Sequence, residues 1–414
     1  MANRDALAHR LLQCLCVAAR PLRVEELAEI LAIDFEADGA TPTLDDDLRS
    51  ENPEREMLFV CSSLIMIVDR VIQFSHSSVK EFLTSDRLST SHEDISRFHI
   101  APEPAHMTLT QACLATLLRL DGNSNNDQID RNFPLARYAS QHWVEHARLG
   151  MVSSPSPIDD GMRRLFDSTR PYFATWLRLY NIDDHWNRVG NSWVARGSPL
   201  YYASLCGFRD LAAHIINDHP EQANATGGRR HSPLAAALYK AHFHVAKLLL
   251  QHGAAVNVAD YNNQTLLQSA SVDGRSDVAR WLLDHGADTD SKRDDLGAPI
   301  HLATVNGHPE VIQTLLEYKV DIDSADKDGR TPLHLASSAG KAEIVRLLLD
   351  RDADPDAVDK NKWTKFQKKK KKNKWTPLSL TWTTEVERLL LDNGAIPDEV
   401  KSTEGGIDKC EDDM

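Results

Sequence analysis

Gly329-Arg330-Thr331-Pro332-Leu333-His334-Leu335-Ala336 is the stretch on which the reading of this chain turns. Thr331-Pro332-Leu333 has four counterparts upstream: Ser198-Pro199-Leu200, Ser232-Pro233-Leu234, Thr265-Leu266-Leu267 and Ala298-Pro299-Ile300. Successive copies are 34, 33, 33 and 33 residues apart. An alanine follows three places after each Leu or Ile, at Ala203, Ala237, Ala270, Ala303 and Ala336. Second apolar segments come next, carrying Val245/Leu248/Leu249, Val278/Trp281/Leu282, Val311/Leu315/Leu316 and Ile344/Leu347/Leu348. His252-Gly253-Ala254 and His285-Gly286-Ala287 close two of the units. A fixed period of this length means stacked supersecondary units.

Each residue type has a physical reason to recur. Proline at a first helical turn has no N–H to lose and a φ already suited to the helix. The Ser or Thr before it accepts from the orphan amides of that turn. The leucine fills the space between neighbouring units, and the alanine lets helices approach. Gly253 and Gly286 supply the left-handed residue that ends a helix. Gly297 and Gly329 do similar work in the hairpins, and Asn263 stands in for that glycine in the third unit because asparagine visits the left-handed region. One unit cannot bury its apolar face alone, so the units must stack.

The pattern closely resembles the ankyrin repeat. The resemblance implies a solenoid of helix pairs that binds other proteins on a concave surface, through hairpin tips and the exposed side of the first helices. Aligned to the family, the tips are Tyr261, Asn262 and Gln264, then Asp295 and Leu296, then Lys327, Asp328 and Arg330. The helix positions include Tyr239, Lys240, Val272, Val305, Asn306 and Ser338. Tyr239 and Tyr261 are the preferred anchors, since aromatic side chains dominate interface energetics.

The sixth unit is irregular. Its Thr376-Pro377-Leu378 arrives twelve residues late, and Asn361-Lys362-Trp363-Thr364 reappears as Asn373-Lys374-Trp375-Thr376 around Lys368 to Lys372. This reads as a Lys-rich insertion at 365–376, and the unit is also about three residues short before Arg388. The tail from 397 to 414 is acidic and reads as a disordered, solvated end.

Ahead of the repeats, residues 5–19 and 24–32 read as helices joined at Arg20-Pro21-Leu22, with a third near 54–63, a hairpin over 64–74 and a helix from Ser78. Leu7, Leu11, Leu12 and Leu15 on one face of the first segment predict a one-sided surface helix. Three helices and a hairpin form a winged-helix pattern. Leu15 to Ala32, Cys61 to Ile65 and Val71-Ile72-Gln73-Phe74-Ser75-His76-Ser77-Ser78-Val79-Lys80-Glu81-Phe82-Leu83 resemble the winged helix that follows the NACHT module in fungal NACHT–ankyrin proteins of the STAND class. The same segment is similar to the winged helix of GPI inositol-deacylase-like proteins. The chain thus divides into a winged-helix-like domain (1–95), a helical connector (96–194), ankyrin repeats (195–396) and the tail. The fold class is mainly α. Within the connector, Leu109, Cys113, Thr116, Leu117 and Leu120 share a face, Pro134 opens a helix, and Trp186 and Trp193 are expected near the join with the first repeat.

No G-x-x-x-x-G-K-[ST] loop occurs, so the nucleotide switch of the NACHT relatives is not encoded here. Two readings follow: a stand-alone scaffold, or part of a longer nucleotide-switched protein. A winged helix also raises nucleic-acid binding. Against it stand eight acidic residues between Glu36 and Glu56, facing only Arg49 and Arg55, and a formal net charge of −14. His142 and His146 are one turn apart, but Trp143 holds the place a zinc-protease glutamate needs, and they read as ordinary surface histidines. Ser75-His76-Ser77 lacks a nucleophile elbow. No catalytic residue, metal or cofactor is expected, and the partner is a protein of unknown identity. Six scattered cysteines without C-x-x-C fit a reducing cytoplasm or nucleus. The apolar run 57–68 is too short to span a bilayer.

Overall fold

The computed structural model describes residues 2–35, 41–61, 63–90, 96, 98–150, 158–183, 197–291, 297–360 and 375–397. The chain separates into two compact units, Met1–Arg229 and Arg230–Met414.

The first unit begins with α1 (Ala2–Val17), α2 (Val24–Leu31), a two-residue ladder of β1 (Ile33–Asp34) with β2 (Thr43–Leu44), and α3 (Pro53–Cys61). A hairpin of β3 (Ile65–Val68) and β4 (Val71–Phe74) follows, then α4 (Ser77–Leu83) and α5 (Asp86–Ser89). This is the winged-helix order. The hairpin closes through Asp69 and Arg70, both left-handed at φ 50° and 62°, which matches the twist of a two-residue hairpin turn. The wing is tied to α2: Val24 N–H donates to Arg70 O and Ile72 N–H to Leu22 O, each at 2.9 Å. Leu11, Leu22, Leu27, Ile30, Met57 and Ile72 form the core beneath.

The first helix departs from expectation. Cys14 and Cys16 are buried together with Leu11 and Leu12, whereas Leu15 is only half-buried. α1 therefore buries more than a leucine stripe while its start stays exposed, because α3 and the long connector helix both pack against it. A leucine stripe reveals one buried face; small cysteines on the others are silent in that pattern.

The connector comprises α6 (Pro102–Leu117), α7 (Asn126–Asn132), α8 (Ala136–Gly150), α9 (Asp159–Phe166) and α10 (Pro171–Leu179). Leu109, Cys113, Thr116, Leu117 and Leu120 are all buried. Helix α8 starts two residues after Pro134. The first repeat, α11 (Pro199–Cys206) and α12 (Arg209–Asp218), belongs to this same unit. An aromatic cluster joins it to the connector: Trp143 lies 5.3 Å from Trp176 and 5.4 Å from Phe208, and Phe173 lies 5.7 Å from Tyr202, centroid to centroid. Trp186 and Trp193 fall outside the described residues.

The second unit is a run of helix pairs: α13 (Pro233–Tyr239) with α14 (Phe243–Gln251), α15 (Leu266–Asp273) with α16 (Ser276–Asp284), α17 (Pro299–Asn306) with α18 (Pro309–Glu317), and α19 (Pro332–Ser338) with α20 (Ala342–Leu349). It ends in a single 3-10 turn, Leu378–Leu380, and α21 (Thr384–Asp392). First helices pack on first helices (α15, α17, α19) and second on second (α16, α18, α20, α21). The recurring Leu234, Leu267, Ile300 and Leu333 are buried, as are Ala237, Ala270, Ala303 and Ala336. Ser232 Oγ accepts from Ala235 N–H and Thr265 Oγ1 from Gln268 N–H, the capping bonds the sequence implied. Gly253 and Gly286 both sit at φ 83°.

Aspartates hold the hairpins. Asp260 Oδ1 accepts from the amides of Asn262 and Gln264, and Asp326 Oδ1 from those of Asp328 and Arg330, at 2.8–2.9 Å. Asp326 is buried, so Asp326→Ala strands amides and should cost about 1–3 kcal/mol in urea unfolding. Asp326→Asn keeps an acceptor and should cost less. In the last hairpin the partner of Asp359 is Trp375, 16 residues on rather than four, yet the same bonds form: Trp375 N–H to Asp359 Oδ1 at 3.0 Å and Asp359 N–H to Trp375 O at 3.1 Å. The base of this hairpin thus keeps the standard bonds although its two sides are twelve residues further apart in sequence. The lysine run itself, the first copy of the duplicated edge and the acidic tail lie outside the described residues.

Candidate functional site

The end of a first helix leaves carbonyls without helical partners, and a cation is favoured there. In the second unit those carbonyls are met by the next repeat. Arg275 Nη1 donates to Tyr239 O at 3.0 Å, His308 Nε2 to Val272 O at 2.9 Å, and Lys341 Nζ to Val305 O at 2.8 Å. Every one of these bonds spans 36 residues. A second ladder starts in the first turn of the same helices: Gln268 Nε2 reaches Ser291 O and His301 Nε2 reaches Ser324 O, both at 2.8 Å, and His334 Nε2 reaches Trp375 O at 3.0 Å. Ala298 N–H and Thr331 N–H donate to Nδ1 of His301 and His334, so each ring carries its proton on Nε2. Both ladders fix the backbone under the side chains that face outward.

Most of the residues expected at the site are solvent-exposed. Tyr239, Lys240, Tyr261, Asn262, Val305, Asn306, Lys327, Asp328 and Ser338 are exposed; Gln264, Val272 and Arg330 are half-buried. Arg330 is occupied in its own hairpin, pairing with Asp326 and Asp328 at 3.0 Å each. Asp295 and Leu296 fall outside the described residues.

Two neighbours of the expected anchors were missed. The Arg230 guanidinium lies 3.3 Å from the Tyr239 ring centroid, and the His231 ring meets Tyr261 edge-on at 4.3 Å. One period back from the tip residue Gln264 is His231, so carrying the repeat count one unit further would have found it. Trp382, 86% exposed, was also missed. It follows the 3-10 turn that replaces the first helix of the short last repeat, where the periodic frame breaks.

His76 Nδ1 accepts from Ser78 N–H at 3.1 Å and caps α4. His146 is not a surface residue: it is 1% exposed, with Nδ1 2.8 Å from Nδ1 of His106 and Nε2 2.8 Å from the Tyr138 hydroxyl. The α6–α8 seam encloses it, which one-helix spacing does not reveal. Burial pushes its pKa down to about 3. Cys14, Cys16, Cys61, Cys113 and Cys206 are buried and in no disulfide, and burial raises Cys14 to about 12. An apolar groove of about 490 Å³ between Leu12, Leu64, Phe82 and Phe98 lies in the first unit. Among the described residues, no group of three or more metal-ligating side chains occurs, and no helix is long and apolar enough to cross a membrane.

Comparison with known proteins finds matches in two segments of the chain. Residues 200–293 and 289–359 match the family described as ankyrin repeats (3 copies), and residues 1–95 match the GPI inositol-deacylase winged helix domain. Azaphilone pigments biosynthesis cluster protein L of Monascus ruber is 32% identical over 271 residues, covering 60% of this chain and 55% of that one. The chain therefore spans about half the length of this curated relative. Among solved structures, the human ASB11 ankyrin repeat domain is 29% identical with a TM-score of 0.38, over 48% of this chain and 85% of that one. An ankyrin repeat domain from Acinetobacter baumannii AYE is also 29% identical, TM-score 0.40, over 48% of this chain and 98% of that one.

Proposed function

We propose that this chain, which carries ankyrin repeats behind a winged helix of the GPI inositol-deacylase type, is a non-catalytic scaffold that holds a protein partner on its first-helix and hairpin face. The observation that carries the reading is the exposed set Tyr239, Tyr261, Val305 and Ser338, standing on backbone that inter-repeat hydrogen bonds already fix. A surface ordered before contact spends little entropy on binding. The winged helix, helical connector and repeats in that order further support the recognition part of a STAND-type immune protein, working in cytoplasm or nucleus. Nucleic acid is disfavoured on the wing, where Arg70 is paired with Glu25 and Glu54.

The test is affinity capture on the full chain, comparing wild type with a Tyr239→Asp/Val305→Asp/Ser338→Arg variant. These residues are exposed, so the melting temperature should hold while specific partners disappear. Partners retained equally by both proteins would reject the assigned face.

A further inference from the structure

We infer that Arg230, His231, Tyr239, Lys240 and Tyr261 form a docking patch for an acidic peptide segment bearing an aromatic or aliphatic anchor. This deepens the scaffold reading and rests on it.

The patch combines cations with open aromatic surface. Arg230 covers Tyr239 at 3.3 Å, and Lys240 Nζ lies 5.4 Å from the same ring. Tyr239 nevertheless remains 41% exposed and Tyr261 56%. The acid of the adjoining hairpin, Asp260, spends Oδ1 on the amides of Asn262 and Gln264 and Arg275 is paired with Asp277. Set in a chain of formal net charge −14, a cationic and aromatic surface selects by charge. Carboxylates are repelled by most of the molecule and attracted here, whereas a neutral segment would cover the exposed Lys240 ammonium without replacing its water.

His231 supplies an independent sign. Its φ is 73°, a conformation that costs a non-glycine residue about 1 kcal/mol or more. Its counterpart in the fourth repeat is Gly297, at φ 75°, which takes the same conformation without strain. Its ring meets Tyr261 edge-on, and its Nδ1 is buried with no hydrogen-bond partner. Strain retained at a residue that orders an exposed aromatic favours recognition over stability.

The experiment is selection of a random-peptide library, displayed on phage, against the full chain. Enriched peptides are expected to place Asp or Glu beside Leu, Phe or Trp. Lys240→Glu and Tyr261→Ala should each weaken them about tenfold or more, the scale of an interface hot spot. Added salt should weaken them too. His231→Gly should keep or raise the melting temperature while weakening the peptides; a His231 with a purely structural role would lower the melting temperature instead. Enriched peptides without acidic residues, or acidic ones indifferent to Lys240→Glu and Tyr261→Ala, overturn the patch. If such peptides are lost from the Tyr239→Asp/Val305→Asp/Ser338→Arg variant, the scaffold reading survives that failure. A library that enriches nothing overturns both.

Discussion

Trp143→Ala is expected to destabilise the first unit by about 3–5 kcal/mol, a large share of what a domain of this size has to lose. Trp143 is fully buried, and its ring meets Phe166 at 6.2 Å, Trp176 at 5.3 Å and Phe208 at 5.4 Å. Those partners come from α9, α10 and the link between α11 and α12, so one ring joins the connector to the first repeat. Truncation removes one of the two tryptophans of the cluster, and rigid aromatic neighbours collapse poorly into the space. Trp143→Phe makes the informative contrast. The indole Nε1 is buried without a hydrogen-bond partner, so removing it relieves a desolvated donor while most of the ring remains. We expect Trp143→Phe to cost less than about 1.5 kcal/mol. Urea unfolding of the full chain, with hydrogen exchange followed in α8, α10 and α11, measures both. Equal losses for Phe and Ala would show that the indole N–H, not the ring volume, matters at this position.

The repeats were legible because one spacing encodes several physical needs at once. Proline, capping hydroxyl, core leucine and contact alanine all fall in phase, so each confirms the others, and the positions of Tyr239, Tyr261 and Val305 follow by counting. The winged helix was legible from its alternation of helical and Ile/Val-rich segments, the latter pairing as the expected hairpin. What escaped notice depends on contacts between distant segments. The pairing of His106 with His146 spans 40 residues and joins two helices whose packing no local pattern states. Glu29, likewise, reads as one more helical carboxylate after Glu25 and Glu26, yet it lies in the core of the first unit. The reach of His301 and His334 into the next hairpin was hidden for the same reason.

His146 and Glu29 set the second large effect, the dependence of stability on pH. The Tyr138 hydroxyl accepts from Ala19 N–H at 3.0 Å and donates to His146 Nε2; His146 Nδ1–H then donates to Nδ1 of His106. This is the tautomer that satisfies every partner with neutral rings. A proton added to His146 Nε2 would displace the tyrosine donor, and burial with His106 and His142 nearby holds its pKa near 3 against an ordinary 6.5. The unfolded chain therefore takes up that proton first, and the stability His146 contributes, complete above pH 6.5, is lost as pH falls toward 3. His106 and His142, desolvated in the same seam, act in the same direction.

Glu29 acts in the opposite direction. It accepts from Leu135 N–H at 2.8 Å and Thr116 Oγ1 at 3.4 Å, and burial raises its pKa from 4.5 to about 7. Here the folded chain binds the proton first, so the carboxylate costs stability above pH 7, and that cost is relieved as pH falls to 4.5. Between pH 6.5 and 4.5 the two groups offset each other, each at up to about 1.4 kcal/mol per pH unit. Glu29→Gln keeps an acceptor for Leu135 and removes only the titration. It should stabilise the chain by about 2–3 kcal/mol at pH 8 and steepen the fall in stability below pH 6.5. Urea unfolding of wild type and variant at intervals from pH 8 to pH 4.5 tests this directly. Curves that run parallel would mean that Glu29 ionises in the folded chain as it does in water, and that its buried carboxylate is already fully stabilised by Leu135 and Thr116.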